Sequence, residues 1–119
     1  MIRRTIVVCS LVAALTGCAT GNKSLYAWGH YEDLIYVAAT KPGSLSPEAQ
    51  ADQLEKDRQV ADAAHRPLPP GWRMHLAGLY AESGRTDLAE RELLAEKQAF
   101  PESSTLVDRL LTNLRRSAP

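Results

Sequence analysis

The 119-residue chain has few of the residues that usually carry chemistry. It contains two cysteines, three histidines and seven aromatic residues, and its 14 basic residues balance 14 acidic ones. Without a basic surplus, the sequence has no excess positive charge that would attract nucleic acid or an anionic lipid surface. The composition therefore excludes a nucleic-acid-binding protein and leaves protein and membrane as the partners to consider.

Catalytic and cofactor-binding motifs are also missing from the sequence. It has no GxSxG nucleophile motif and no glycine-rich phosphate loop. His30, His65 and His75 lie too far apart along the chain to form a helical metal-binding pair such as HExxH. His30 stands near Glu32 and could ligate an ion, but a solvated helix face explains the same residues. We predict no enzymatic activity, no metal and no small-molecule substrate.

The first seventeen residues have the pattern of a secretory signal peptide. Arg3 and Arg4 precede an apolar run over 5–15, and the small residues Thr16 and Gly17 follow it. A charged start, a short apolar stretch and a small-residue cleavage site are typical of export signals. The run is shorter than the roughly 20 apolar residues that a membrane-spanning helix needs. We expect residues 1–17 to be removed.

The segment Leu15-Thr16-Gly17-Cys18 resembles the lipobox of bacterial lipoproteins. The resemblance implies cleavage between Gly17 and Cys18 and a covalent lipid on the Cys18 sulfur, with no other cofactor. The alternative is a cysteine that merely follows a signal peptide cleaved elsewhere. Ala19 follows in place of the aspartate that would retain a lipoprotein at the inner membrane, so an outer-membrane, periplasm-facing location is expected. Cys9 would leave with the signal, which excludes an internal disulfide.

The remaining chain is predicted as a lipidated tether over 18–23 and one all-α domain over 24–119. Apolar residues recur at three- and four-residue spacing in five segments, separated by proline, glycine and serine. The predicted helices begin at Ser24, at Pro47 after a Ser46 cap, at Pro70, at Asp87 after a Thr86 cap, and after Ser103 or Ser104. No segment has the alternating pattern of a strand.

The third and fourth predicted helices resemble one tetratricopeptide repeat, a helix–turn–helix unit of about 34 residues. The resemblance rests on Leu76, Ala77, Tyr80, Gly84, Ala89, Leu93 and Pro101. It implies a short tetratricopeptide-like array of about five helices, because one such hairpin cannot bury both of its faces alone. A generic helical hairpin and a compact five-helix bundle remain the alternatives.

Four segments resemble a specific bacterial family. The sequences YAWGHYE over 26–32 and EKQAFPES over 96–103, with PPG over 69–71 and AGLY over 77–80, are similar to a small family of putative lipoproteins known as a domain of unknown function (number 4810). The family has no assigned activity. Its members are similar in setting to lipoproteins encoded beside a curli-secretion-channel-like lipoprotein, which implies an accessory role in an outer-membrane assembly.

The aromatic residues are the remaining candidates for a binding site. Aromatic side chains are enriched both in small cores and at the centres of protein interfaces. We predict that Trp28, Tyr31, Tyr36 and Trp72 bind a partner, with Trp72 partly exposed; core packing is the alternative for Trp28 and for Tyr80. The expected function is a non-catalytic, membrane-anchored adaptor for another envelope lipoprotein. A purely structural envelope lipoprotein and a metal-binding or enzymatic periplasmic lipoprotein are the competing hypotheses.

Overall fold

The computed structural model describes residues 24–117, and these residues form five α-helices with no strand among them. The predicted signal peptide and tether, with Gly17 and Cys18 as the expected cleavage and lipidation residues, lie outside this range. The helices are α1 (Tyr31–Thr40), α2 (Pro47–Ala63), α3 (Trp72–Glu82), α4 (Thr86–Ala99) and α5 (Ser104–Ser117), with a 3-10 turn at Pro101–Ser103 before α5. The predicted all-α fold is confirmed.

From α2 onward, consecutive helices pack against each other, which makes the fold an array. The contacts run from α2 to α3, from α3 to α4 and from α4 to α5, and the α3–α4 contact is the most extensive. The buried apolar residues of the core come from all five helices and from the linker before α3: Leu34, Ala51, Leu54, Ala61, Leu68, Trp72, Leu76, Ala77, Leu79, Tyr80, Ala89, Leu93, Val107 and Leu111. Of the helices over 24–117, none has both the length and the apolar character needed to cross a membrane.

The α3–α4 pair is a tight antiparallel hairpin. Ala77 and Ala89 are both buried between the helices, where their small side chains allow close approach. At the end of α3, Gly84 adopts a left-handed backbone with φ of +74°. The amide of Arg85 donates to the carbonyl of Tyr80 at 2.8 Å, and the amide of Gly84 donates to that of Ala81 at 3.0 Å. These two bonds form a Schellman motif, which satisfies carbonyls at the helix end.

The same substitution at two glycines should have opposite effects on stability. A Cβ at Gly84 would meet no atom within 4 Å, so only backbone strain opposes Gly84→Ala. The left-handed conformation should make that variant less stable by about 1–2 kcal/mol. Gly78 lies inside α3, again with open space around a Cβ. Gly78→Ala should therefore raise stability by about 0.5–1 kcal/mol. Urea denaturation measures both; equal effects would rule out the assigned turn.

Some predicted boundaries and core residues are wrong. The first helix begins at Tyr31 and not at Ser24, because backbone groups of Ser24, Tyr26 and Ala27 bond to the linker after α2. The third begins at Trp72, after a left-handed Gly71, and not at Pro70. Thr86 is the first residue of α4 and not its cap. Val60, whose place in the apolar spacing of the second predicted helix favours the core, is 70% exposed. By contrast, Ser46 caps α2 as predicted, since its hydroxyl accepts from the amide of Ala49 at 3.2 Å.

Candidate functional site

The segment over 24–30 is fixed to the linker between α2 and α3. One guanidinium nitrogen of Arg66 donates to the carbonyls of Ser24 and Tyr26, both at 2.6 Å. The amide of Ala27 donates to the carbonyl of Pro67 at 2.8 Å. These bonds satisfy backbone groups that would otherwise belong to a helix, which is why this segment is irregular, with bends and a turn, although its apolar spacing suits a helix. The segment leads directly into α1.

The junction between this segment and α1 is held by Asp57. Its two carboxylate oxygens accept from the backbone amide of His30 at 2.7 Å and from Nδ1 of the same residue at 2.8 Å. A Cβ at Gly29 would lie 2.5 Å from the Asp57 carboxylate, so the approach requires glycine there. The hydrogen bond and charge of Asp57 raise the pKa of His30 above its usual 6.5. The contact of protonated His30 with Asp57 therefore stabilises the fold fully below pH 6.5, and this contribution is lost as the pH rises through the raised pKa of His30.

Aromatic rings line the outer side of this junction. The rings of Trp28 and Tyr31 stack with centroids 6.2 Å apart and planes 21° from parallel. Tyr26 meets Trp28 edge-on at 6.4 Å and Phe100 edge-on at 6.3 Å. The indole nitrogen of Trp28 donates to the Ser24 hydroxyl at 2.9 Å, which orients the ring. The ring cluster therefore connects the start of the domain to the end of α4.

Three of the four predicted binding residues line one shallow groove along α1. The groove has a volume of about 470 Å³ and is lined by Trp28, Tyr31, Glu32, Ile35, Tyr36 and Ala39, which we call the α1 aromatic surface. Tyr36 is 67% exposed and Ile35 is 41% exposed, whereas Leu34 on the opposite side of the helix is buried. The helix thus leaves one apolar, aromatic side open. Trp28 is half-buried, so neither pure core packing nor full exposure describes it.

Trp72 does not join this surface, and its expected partial exposure is wrong. It is fully buried at the start of α3, and the guanidinium of Arg58 lies 5.1 Å from its ring centroid. The sequence placed it next to a proline-rich linker, which suggested an exposed loop end. Leu68 and Pro69 of that linker are themselves buried, so the linker covers the core. Trp72 is a core residue and is removed from the candidate site.

Tyr80 is buried in α3, as the core interpretation predicted. Its hydroxyl donates to the Glu55 carboxylate at 2.5 Å. Burial and the neighbouring Glu55 carboxylate raise the pKa of Tyr80 to about 12. Tyr80 therefore links α3 to α2 and offers no acidic hydroxyl for chemistry near neutral pH.

Glu96 is a fully buried carboxylate that the sequence did not single out. One of its oxygens accepts from the amide of Gly71 at 2.6 Å, so it caps the start of α3, which has no side-chain cap of its own. A Cβ at Gly71 would lie 3.1 Å from the Tyr31 hydroxyl. Burial and the charge of Glu96 both raise the pKa of Tyr31. The only hint in the sequence was that Glu96 opens the EKQAFPES segment.

Three of the four segments that carried the family resemblance therefore meet in space. YAWGHYE provides Tyr31, PPG provides Gly71, and EKQAFPES provides Glu96 and Phe100. Their contacts hold the start of α1 next to the start of α3, and the α1 aromatic surface remains open. Over residues 24–117, no three histidine, aspartate or glutamate side chains converge as metal ligands would. His75 packs edge-on against Tyr31 at 5.9 Å, and burial lowers its pKa.

The family comparison confirms the resemblance. Residues 25–110 match the family described as "Domain of unknown function (DUF4810)", and the chain belongs to that family. The match covers all five helices except the last turns of α5. Comparison with curated proteins finds no match, and comparison with solved structures finds none either.

Proposed function

We propose that the protein is an outer-membrane lipoprotein, anchored through Cys18 and facing the periplasm, that acts as a non-catalytic adaptor for another envelope lipoprotein. The α1 aromatic surface is the observation that carries this proposal. Monomeric proteins rarely leave a continuous apolar side of a helix open unless it serves an interaction. Tyrosine and tryptophan are also the residues that contribute most to binding at interface centres.

The position of this surface supports a partner on the same membrane. Six residue steps separate Cys18 from Ser24, so a lipid on Cys18 would hold Ser24 within about 20 Å of the bilayer surface. The aromatic surface begins four residues later. Confinement to one membrane raises the effective concentration of a partner, so even weak contacts suffice. The genomic setting of similar proteins makes a curli-secretion-channel-like lipoprotein the first partner to test.

Crosslinking in intact envelopes, followed by affinity capture of the tagged protein, tests the adaptor role. Tyr36→Ala should reduce capture of the partner while the melting temperature stays unchanged, because Tyr36 is mostly exposed. Val60→Ala is the matched control: Val60 is 70% exposed on α2, outside the aromatic surface. If wild-type protein captures no reproducible partner, a purely structural role replaces this proposal. If both variants lose the partner equally, the surface is misassigned.

A further inference from the structure

The protein holds two of its own arginines against aromatic rings, and one of them also pairs with carboxylates. The guanidinium of Arg58 lies over the ring of Trp72 and also pairs with carboxylates, Glu92 at 2.8 Å and Glu55 at 3.2 Å. The guanidinium of Arg85 lies 4.5 Å from the ring centroid of Tyr80. An aromatic face attracts a cation through its quadrupole, and a carboxylate beside the ring adds direct charge attraction.

The α1 aromatic surface has the same groups without the cation. Trp28, Tyr31 and Tyr36 supply rings, and Glu32 is among the residues that line the groove. Among residues 24–117, no basic side chain pairs with Glu32. The ten residues of α1 include two acidic residues and no basic one, and Lys41 lies beyond its end. The surface is therefore apolar, aromatic and negatively charged.

We infer that the α1 aromatic surface binds a lysine or arginine side chain from an exposed segment of the partner protein. This inference rests on the proposed function and specifies the chemistry of its site. The alkyl part of such a side chain would lie on Ile35 and Ala39, while its charged end meets the rings and Glu32. Phosphatidylethanolamine also carries an ammonium group, but the groove follows the helix and suits a polypeptide side chain.

A pair of matched peptides tests the inference on the full-length protein in detergent micelles. The probes are a blocked Gly-Arg-Gly peptide and the same peptide with citrulline, which has the shape of arginine without its charge. The chain has two indole N–H signals in a nitrogen–proton NMR spectrum. The signal of Trp28 should shift with the arginine peptide, whereas that of buried Trp72 serves as an internal reference.

Two variants separate cation binding from simple apolar docking. Tyr36→Leu keeps an apolar side chain and removes a ring, and Glu32→Gln removes the charge. Each should weaken binding of the arginine peptide by about two- to fivefold. Asp52→Asn, an exposed acidic residue on α2, is the control and should leave binding unchanged.

Three outcomes would overturn the inference. They are equal shifts with the arginine and citrulline peptides, no shift with either, and a shift with soluble glycerophosphoethanolamine that matches or exceeds that of the arginine peptide. The last outcome would assign the surface to lipid headgroups. Failure here leaves the adaptor proposal intact if Tyr36→Ala still loses the captured partner. Conversely, peptide binding without any captured partner would refute the adaptor role alone.

Discussion

Trp72→Ala is expected to lower the free energy of unfolding by about 3–5 kcal/mol, the usual cost of removing a fully buried large aromatic side chain. Trp72 has no exposed surface, and the variant would leave both a cavity and an unstacked Arg58 guanidinium. A loss of this size approaches the whole stability of a small domain. Guanidinium denaturation followed by circular dichroism measures it.

The same substitution at the other tryptophan provides the control. Trp28 is half-buried and belongs to the α1 aromatic surface, so Trp28→Ala should cost clearly less stability. Trp72→Phe preserves most of the buried volume and remains measurable if the alanine variant does not fold. Equal losses for the two alanine variants would contradict the assignment of Trp72 to the core and of Trp28 to the surface.

Cys18→Ala should abolish incorporation of radioactive palmitate and leave an unprocessed precursor. The lipid transferase needs the thiol, and the lipobox-like Leu15-Thr16-Gly17 has no other cysteine after it. Cys9→Ala is the control, because Cys9 lies inside the expected signal peptide and should not affect labelling. Palmitate labelling and gel mobility of the two variants read out the result. Labelling of the Cys18→Ala protein at wild-type levels would refute the lipoprotein proposal.

Local signals predicted the helices well where the deciding contacts are local. Ser46 caps α2 through an amide three residues away, and Gly84 ends α3 through bonds within the same turn. The small residues Ala77 and Ala89, which belong to the tetratricopeptide-like pattern, are buried where α3 and α4 pack. In each case the interaction that fixes the structure lies within a few residues, or belongs to a hairpin whose turn is visible in the sequence.

The misassigned features depend on partners far along the chain. Ser24 and Tyr26 are held by Arg66, about forty residues away, and this contact replaces the helix that their spacing suggests. Glu96 is buried because it caps α3 from α4, across 25 residues. The proline content of the linker before Trp72 does not reveal that this linker is buried. The sequence therefore predicted a partly exposed side chain at Trp72. Hydrophobic spacing predicts which face of a helix is apolar. It does not predict whether another part of the chain covers that face.

The bonds between Arg66 and the carbonyls of Ser24 and Tyr26 define how a mechanical load would enter the domain. Tension applied from the N-terminal side of residue 24 reaches these bonds before it reaches α1. The Asp57–His30 contact forms a second point of attachment at the start of α1. Force would pass from the chain through these contacts into α2 and its linker. If the domain is anchored through Cys18 as proposed, a pull on the anchor would be shared between these contacts and α1, and α1 would not carry it alone.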